Sequence, residues 1–332
     1  MAHKILGRVL FYGVLLLGIW WWTLWTPGYS SRGPQRALSA HEAGLQAELR
    51  SDVETLAGQI GERNVPFNAQ KLEEAAQFID ASMRTAGYQP QSQWYRAGGA
   101  NCRNLEVEIR GASRPEEIVI VGAHYDSAPD SPGADDNASG VAAMLALARH
   151  FATAQPQRTL RFVGFANEEP PYFWHEEMGS LVYAKRCRER AEHIVAMLSL
   201  ESVGVYSNAP GSQQYPLGLG LLYPSKADFV AFVGNVHSRS LVHRAIASFR
   251  NSATLPSIGA ALPNAIPGVG WSDHWAFWQQ GFPGIEITDT ALFRNPLYHT
   301  PGDTPRRLDY DRLARFTSAM EVVIGELVNV SQ

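Results

Sequence analysis

Ile118-Val119-Ile120-Val121-Gly122-Ala123-His124-Tyr125-Asp126-Ser127 decides the fold. An apolar, β-branched run of strand length switches abruptly to a polar His-x-Asp, and soon after comes Gly133-Ala134-Asp135-Asp136-Asn137-Ala138-Ser139-Gly140, an acidic turn flanked by glycines. A buried strand that empties into such a turn gathers nitrogen and oxygen donors at one end of a sheet. The form recurs downstream. Thr159 to Ala166 reads as a strand before Glu168-Glu169, and His193 to Leu200 as a strand before Glu201; His299 follows in Pro296-Leu297-Tyr298-His299-Thr300. Asn104 to Ile109 reads as a further strand, while Ser139 to Phe151 and Gly179 to Arg190 carry helical spacing. Strands alternating with helices predict an α/β domain with a mixed, largely parallel sheet flanked by helices on both faces. In such sheets ligands bind beyond the C-terminal ends of the strands, where His124, Asp136, Glu168, Glu169 and Glu201 fall.

Before the sheet, Ser39 is placed to cap a helical pattern that runs through Ile60. Asn68 is read as the start of a second helix, whose Leu72, Ala76, Ile79 and Met83 share a face before Gly87 stops it. The chain has 332 residues, 45% of them hydrophobic, enough to bury one large core. A net charge of −4 provides no basic field for phosphates, so nucleic acid is not expected as a partner. Two cysteines, Cys102 and Cys187, exclude a disulfide scaffold and a Cys-rich zinc site; they leave open one bridge or two free thiols.

The N-terminus departs from this composition. Lys4 and Arg8 precede Val9 to Trp25, an uncharged run with Leu15-Leu16-Leu17 and a tryptophan-rich far end that resembles an interfacial belt. Residues 1–25 therefore read as an uncleaved signal anchor or a removed signal peptide, residues 26–38 as a linker rich in Pro, Gly, Ser and Arg, and residues 39–332 as the functional domain. As an anchor, the basic flank holds the functional domain outside the cytoplasm, periplasmic or extracellular, with the membrane as partner; as a signal peptide it releases a secreted protein.

Five separated His and carboxylate positions suit two divalent cations with nitrogen and oxygen ligands. In order and context they resemble those of the co-catalytic zinc exopeptidases, the family that includes bacterial secreted aminopeptidases, glutamate carboxypeptidases and, as a one-zinc relative, glutaminyl cyclases. The resemblance covers about residues 40 to 330. It implies a fold of the phosphorylase/hydrolase-like type and two Zn²⁺ ions held by His124, Asp136, Glu169, Glu201 and His299. Asp136 would bridge, His124 and Glu201 would complete one site, and Glu169 and His299 the other. Many relatives have Asp where this chain has Glu201. By the same resemblance Glu168 would be the general base and Asp126 would orient the His124 imidazole. Tyr298, next to His299, is placed to donate to a tetrahedral oxyanion. Asp135 is left outside the ligand set, because an Asp-Asp-Asn turn favours such residues without a metal.

The expected function is hydrolysis of N-terminal residues from peptides by a zinc metallo-aminopeptidase. Two alternatives stand beside it: a glutaminyl-peptide cyclase using a single zinc, and a non-catalytic ectodomain of the same fold. A carboxypeptidase needs a cationic clamp, for which Arg294 is an isolated candidate. The segment Pro170 to Met178 is longer than in the simplest secreted aminopeptidases, and its aromatics, with Trp271, Trp275, Trp278 and Phe293, are candidates to line an apolar pocket. Glu176 or Glu177 is a candidate receiver for a substrate ammonium. Ser272-Asp273-His274 reads as a helix cap or a support for the metal site, and His237 and His243 as surface or packing residues.

Overall fold

The computed structural model describes residues 2–216 and 218–329; the first residue of the N-terminal segment, the last three of the 39–332 domain and the side chain of Lys4 lie outside the described residues. The strand that opens the argument is β3, Arg114–His124, and it lies in the middle of an eight-stranded sheet. With β1 (Gln91–Ala97), β2 (Ala100–Ile109), β4 (Arg158–Phe165), β5 (His193–Glu201), β6 (Val230–Asn235), β7 (Ser257–Leu262) and β8 (Gly284–Thr288), the order is β1-β2-β4-β3-β5-β8-β6-β7. The run β4-β3-β5-β8 is parallel, as is β6-β7, whereas β1-β2, β2-β4 and β8-β6 pair antiparallel.

Because β3 is covered on both faces, its side chains serve two cores in alternation. Val119, Val121 and Ala123 enter one, Ile118 and Ile120 the other. That is why the strand reads as a continuous apolar run instead of a polar-apolar alternation. The larger core is shared with α2 (Ala40–Val53), α3 (Val65–Thr85), α4 (Gly140–Phe151), α6 (Arg239–Ser252) and α8 (Tyr310–Val328), the smaller with α5 (Gly179–Glu189) and α7 (His274–Gln279).

Ser39 caps α2 through a reciprocal pair, its side chain accepting from Glu42 N while Glu42 returns to Ser39 N. The second helix begins a turn before Asn68. Asn64 is its cap, accepting from Phe67 N at 3.1 Å, Pro66 fits the first turn, and Asn68 instead interrupts the helix with φ −136° and ψ 49°. Cys102 and Cys187 are both free and buried, which removes the bridge alternative.

The N-terminal helix is α1, Ala2–Leu24, of which Ile5–Leu24 is long and apolar enough to cross a membrane. Its far end is tied to α6: Arg239 Nε donates to Trp22 O at 2.9 Å, and His243 Nε2 lies 3.0 Å from Trp25 O. Residues 26–38 have no regular secondary structure but lie against the domain. Arg250 donates to the carbonyls of Thr26 and Pro27, and Ser257 N donates to Ser30 Oγ.

Candidate active site

His124 ends β3, Glu201 ends β5, and Glu168 and Glu169 follow β4, so parallel register delivers all four to one rim of the sheet. Asp136 arrives from the turn before α4. Gly133 starts that turn at φ 60°, and a Cβ there would lie 2.4 Å from Asp136 O, so only glycine fits. His299 comes from the loop before α8, at a left-handed φ of 55°. Asn167, just before Glu168, and Ser202, just after Glu201, are also left-handed, at 59° and 45°. Three non-glycine residues in this costly region beside one cluster mark a site whose backbone is held by its surroundings.

The geometry divides Asp136 between two histidines. His124 Nε2 lies 3.1 Å from Asp136 Oδ1 and 3.1 Å from Glu201 Oε2, while His299 Nε2 lies 2.9 Å from Asp136 Oδ2 and 3.0 Å from Glu169 Oε2. His124, Asp136 and Glu201 form one set of converging donors, and Asp136, Glu169 and His299 a second. His124 is fully buried with neither ring nitrogen in hydrogen-bond geometry; Asp136 Oδ1 and Glu169 Oε1 are likewise buried without partners. Unpartnered nitrogen and oxygen donors that converge in a buried space fit cations, which would satisfy them at once.

Around these donors the chain commits many other polar groups. Asp126 is placed 3.4 Å from His124 Nδ1, but its hydrogen bonds go elsewhere: its two oxygens accept the backbone N–H of Glu168 and of Glu169, each at 3.0 Å. Asp303 accepts the backbone N–H of Asp135 and Asp136 at 3.0 and 3.2 Å. Ser202 Oγ and Ser272 Oγ donate to the two oxygens of Glu201. Arg63, fully buried, donates to the carbonyls of Tyr125, Pro132 and Gly133 and so ties the His124 strand end to the Asp136 turn. Asp135 accepts from Gly204 N and Asn295 Nδ2, an entirely structural use. Of these supports the sequence signalled Asp126 and the Ser272 triplet; Arg63, Ser202 and Asp303 are common residue types that only the tertiary fold brings near.

Electrostatically the cluster is strained in the direction a cation relieves. Burial, then the charge of Asp136, pushes Glu169 up to about 8, and burial raises Glu168 and Glu201 as well. Against the burial penalty, the close approach of the His124 and His299 rings holds Asp136 well below the usual carboxylate range. Burial also opposes protonation of His299, yet Asp136 and Glu169 lift it to about 10. Glu168 Oε2 stands 4.0 Å from His124 Nε2, inside the cluster but in neither set of donors.

Glu201 and Tyr298 line a cavity that opens to solvent and spans about 820 Å³ when the solvent space at its opening is included. Val233, Ile258, Ala260, Leu262, Val269 and Trp271 give it apolar walls. Tyr298 stacks on His299 with ring centroids 3.8 Å apart, and its hydroxyl has no hydrogen-bond partner among the described residues.

Residues 104–324 match peptidase family M28. This chain belongs to that family. It is 39% identical over 257 residues to protein YfbL of Escherichia coli (strain K12), covering 75% of this chain and 78% of YfbL. It is 26% identical over 238 residues to the probable aminopeptidase YDR415C of Saccharomyces cerevisiae, covering 68% of this chain and 57% of that longer protein. Among solved structures the fold resembles the zinc aminopeptidase BSAP of Bacillus subtilis, with a TM-score of 0.67 at 16% identity over 89% of this chain and 97% of that one. It also resembles the glutaminyl cyclase of Porphyromonas gingivalis, with a TM-score of 0.63 at 19% identity over 85% and 98%. Family membership makes the chain a metallopeptidase.

In this M28 peptidase several expectations about the pocket are corrected. Trp271 and Phe293 line the cavity, but Trp275, Trp278 and the aromatics of Pro170 to Met178 do not. Trp174 instead donates to Gly270 O and stacks with Phe173, and Trp278 donates to Gly284 O. Glu176 is ion-paired with Lys185, and Glu177 accepts from Gly98 N, so neither is set to receive a substrate ammonium. Arg294 is buried, donates to Gln213 Oε1 and the carbonyls of Val205 and Phe229 with its Nη2 left without a partner, and does not line the cavity where a substrate carboxylate would need a clamp.

Proposed function

We propose that this M28 peptidase is an aminopeptidase that removes N-terminal residues from peptides with two zinc ions. The observation that carries the reading is Asp136, whose two oxygens face two different histidines, each with its own further carboxylate. His124 and Glu201 would complete one cation site, Glu169 and His299 the other. Bound there, the cations supply Lewis-acid polarisation of the substrate carbonyl and lower the pKa of water. The chain's own residues do the rest. Glu168, buried beside the donors, takes the proton from the attacking water and returns it to the leaving amine nitrogen. Asp126 fixes the backbone of Glu168 and Glu169 together, so base and ligand keep their spacing. Tyr298, its hydroxyl uncommitted at the cavity mouth, donates to the developing oxyanion.

The helix α1 would anchor the enzyme, with Arg8 on the cytoplasmic side and the catalytic domain outside it. One assay tests the catalytic reading: aminoacyl p-nitroanilides beside N-terminal glutaminyl peptides, with zinc counted per chain. Release of p-nitroaniline at about two zinc ions per chain supports it. Cyclisation of the glutaminyl peptides by protein saturating at one ion would replace it with the cyclase, and neither reaction in metal-loaded, folded protein would leave the non-catalytic ectodomain.

A further inference from the structure

The cavity beside Glu201 and Tyr298 contains one carboxyl group that nothing in the fold uses, and burial with Glu201 and Asp136 nearby pushes its pKa up until a cation offsets them. Glu286 lines it, is only 6% exposed, and makes neither a hydrogen bond nor an ion pair among the described residues. Its Oε2 is buried without a partner. The placement follows from strand alternation: Ile285 and Ile287 enter the core on the opposite face of β8, so Glu286 and Thr288 face the cavity together. The other polar side chains of the wall are engaged. Gln213 holds Thr290 and Arg294, Gln214 reaches Gly211 O, and Thr288, Tyr215 and Tyr223 each donate to a main-chain carbonyl. Glu201 and Tyr298, already assigned, and the Trp271 indole N–H, which has no hydrogen-bond partner among the described residues, stand apart. Among the described residues no lysine or arginine side chain lines the space.

We propose that this cavity receives the side chain of the substrate's N-terminal residue and that Glu286 selects a basic one, lysine or arginine, by pairing with its terminal cation. The inference rests on the aminopeptidase reading and adds the substrate class to it. Register sets the reach. Ser199 pairs with Glu286, and Glu201 lies two residues further along β5, so the Cα atoms of Glu201 and Glu286 stand about 8 Å apart at ordinary strand spacings. A residue held at the Glu201 rim is therefore within a side-chain length of Glu286. The four-carbon stem of lysine would lie along Val233, Ile258, Ala260 and Leu262 with its ammonium at the carboxylate. A leucine or norleucine side chain fills the same walls but leaves the buried carboxylate unpaired, and an acidic side chain adds a like charge. Sites built around a polar partner discriminate strongly against analogues that lack it.

The test compares lysyl, arginyl, norleucyl and glutamyl p-nitroanilides on the zinc-loaded full chain, Glu286→Gln and Glu286→Leu, with zinc content and melting temperature measured for each. Norleucine keeps the lysine stem without the ammonium, so the pair isolates the charge. The wild type is expected to show kcat/KM at least tenfold higher for lysyl than for norleucyl substrate. Glu286→Gln should erase most of that ratio, and Glu286→Leu should invert it by cutting lysyl turnover about a hundredfold and raising norleucyl turnover. A wild type that prefers norleucine, or variants that lower every substrate by one common factor at unchanged zinc content, would overturn the inference while leaving the aminopeptidase reading intact. A wild type that cleaves no aminoacyl amide would overturn both.

Discussion

Ser272 Oγ donates to Glu201 Oε2 at 2.8 Å while lying 2.9 Å from Ser199 Oγ, so Ser199 supplies the proton that Ser272 accepts. The chain Ser199–Ser272–Glu201 is wholly buried and fixes which lone pairs of Glu201 would remain for the cation proposed beside His124. Ser272→Ala removes this donor without touching a ligand. Losses of such supporting hydrogen bonds cost about 10- to 100-fold in metal affinity. Chelator competition should show that loss for one ion per chain, with the ion at Glu169 and His299 retained. Equal weakening of both ions, or of neither, would refute the assignment of Ser272 to the Glu201 side.

Glu168 and Glu169 are neighbours with different proposed tasks, and their amides should separate them. Glu168→Gln keeps shape and removes the base, so kcat is expected to fall about 10²- to 10⁴-fold with zinc content unchanged. Glu169→Gln should instead lower zinc occupancy, because an amide compensates the ion's charge less than a carboxylate. Zinc analysis beside single-substrate kinetics distinguishes them. Release of metal from Glu168→Gln as readily as from Glu169→Gln would reject the proton-transfer role.

The parallel centre of the sheet was legible because β3 and β5 are buried on both faces and so announce themselves as apolar runs ending in donors. Strands β1 and β6 to β8 were not. Gln91-Ser92-Gln93-Trp94-Tyr95-Arg96-Ala97 is a largely exposed edge whose polarity hides β1, and β6 to β8 are short segments of five or six residues. The five donors that the fold brings together are those expected from the resemblance of their order and context to the zinc exopeptidases. Their supports could not be read that way, since Arg63 and Asp303 reach the site across 70 and 168 residues of chain. Aromatic residues misled for the same reason, as Trp174 and Trp278 satisfy main-chain carbonyls in the body of the fold instead of facing substrate.

Arg63 is a large fully buried cation whose partners are mainly carbonyl oxygens. Burial draws its pKa down to about 10, so it remains charged at neutral pH. Arg63→Met fills similar space but abandons the carbonyls of Tyr125, Pro132 and Gly133. The expected cost is about 3 kcal/mol or more in unfolding free energy, from several buried acceptors left without donors. Urea denaturation measures that cost, and chelator competition should show weakened metal binding at the proposed sites that share Asp136, since the same guanidinium braces that turn. Unchanged stability would mean that water replaces the guanidinium without loss.

The apolar helix α1 and the segment after it should behave differently when removed. A cut after Trp25 is expected to release a folded, active domain from membranes, because α1 contributes no site residue. A cut after Leu38 also deletes Thr26, Pro27 and Ser30, the partners of Arg250 and Ser257, and Arg36, the partner of Glu42. Sedimentation with membranes and urea midpoints of the two truncates would show both soluble and the shorter one less stable. Persistent membrane association after the first cut would refute α1 as the anchor.

Those two truncates also differ in their response to acid. Burial opposes ionisation of Glu42, but Arg36, bonded to both its oxygens at 2.7 and 2.9 Å, and then Ser39 hold its carboxyl down to about 2, against an ordinary 4.5. A folded-state pKa below the unfolded one means that the unfolded chain binds the proton more readily. The ion pair thus stabilises the fold above about pH 4.5, and that contribution is lost as pH falls from 4.5 towards 2. Arg36 is half exposed, so salt and solvent reduce the effect without changing its sign. Urea midpoints measured from pH 7 down to 3 should therefore lie further apart for the two truncates at neutral pH and converge below pH 4.5. Glu42→Gln in the longer truncate should remove most of its excess acid dependence. A difference between the truncates that is constant over this range would assign the stabilisation to Arg250 and Ser257 instead of to the Arg36–Glu42 pair.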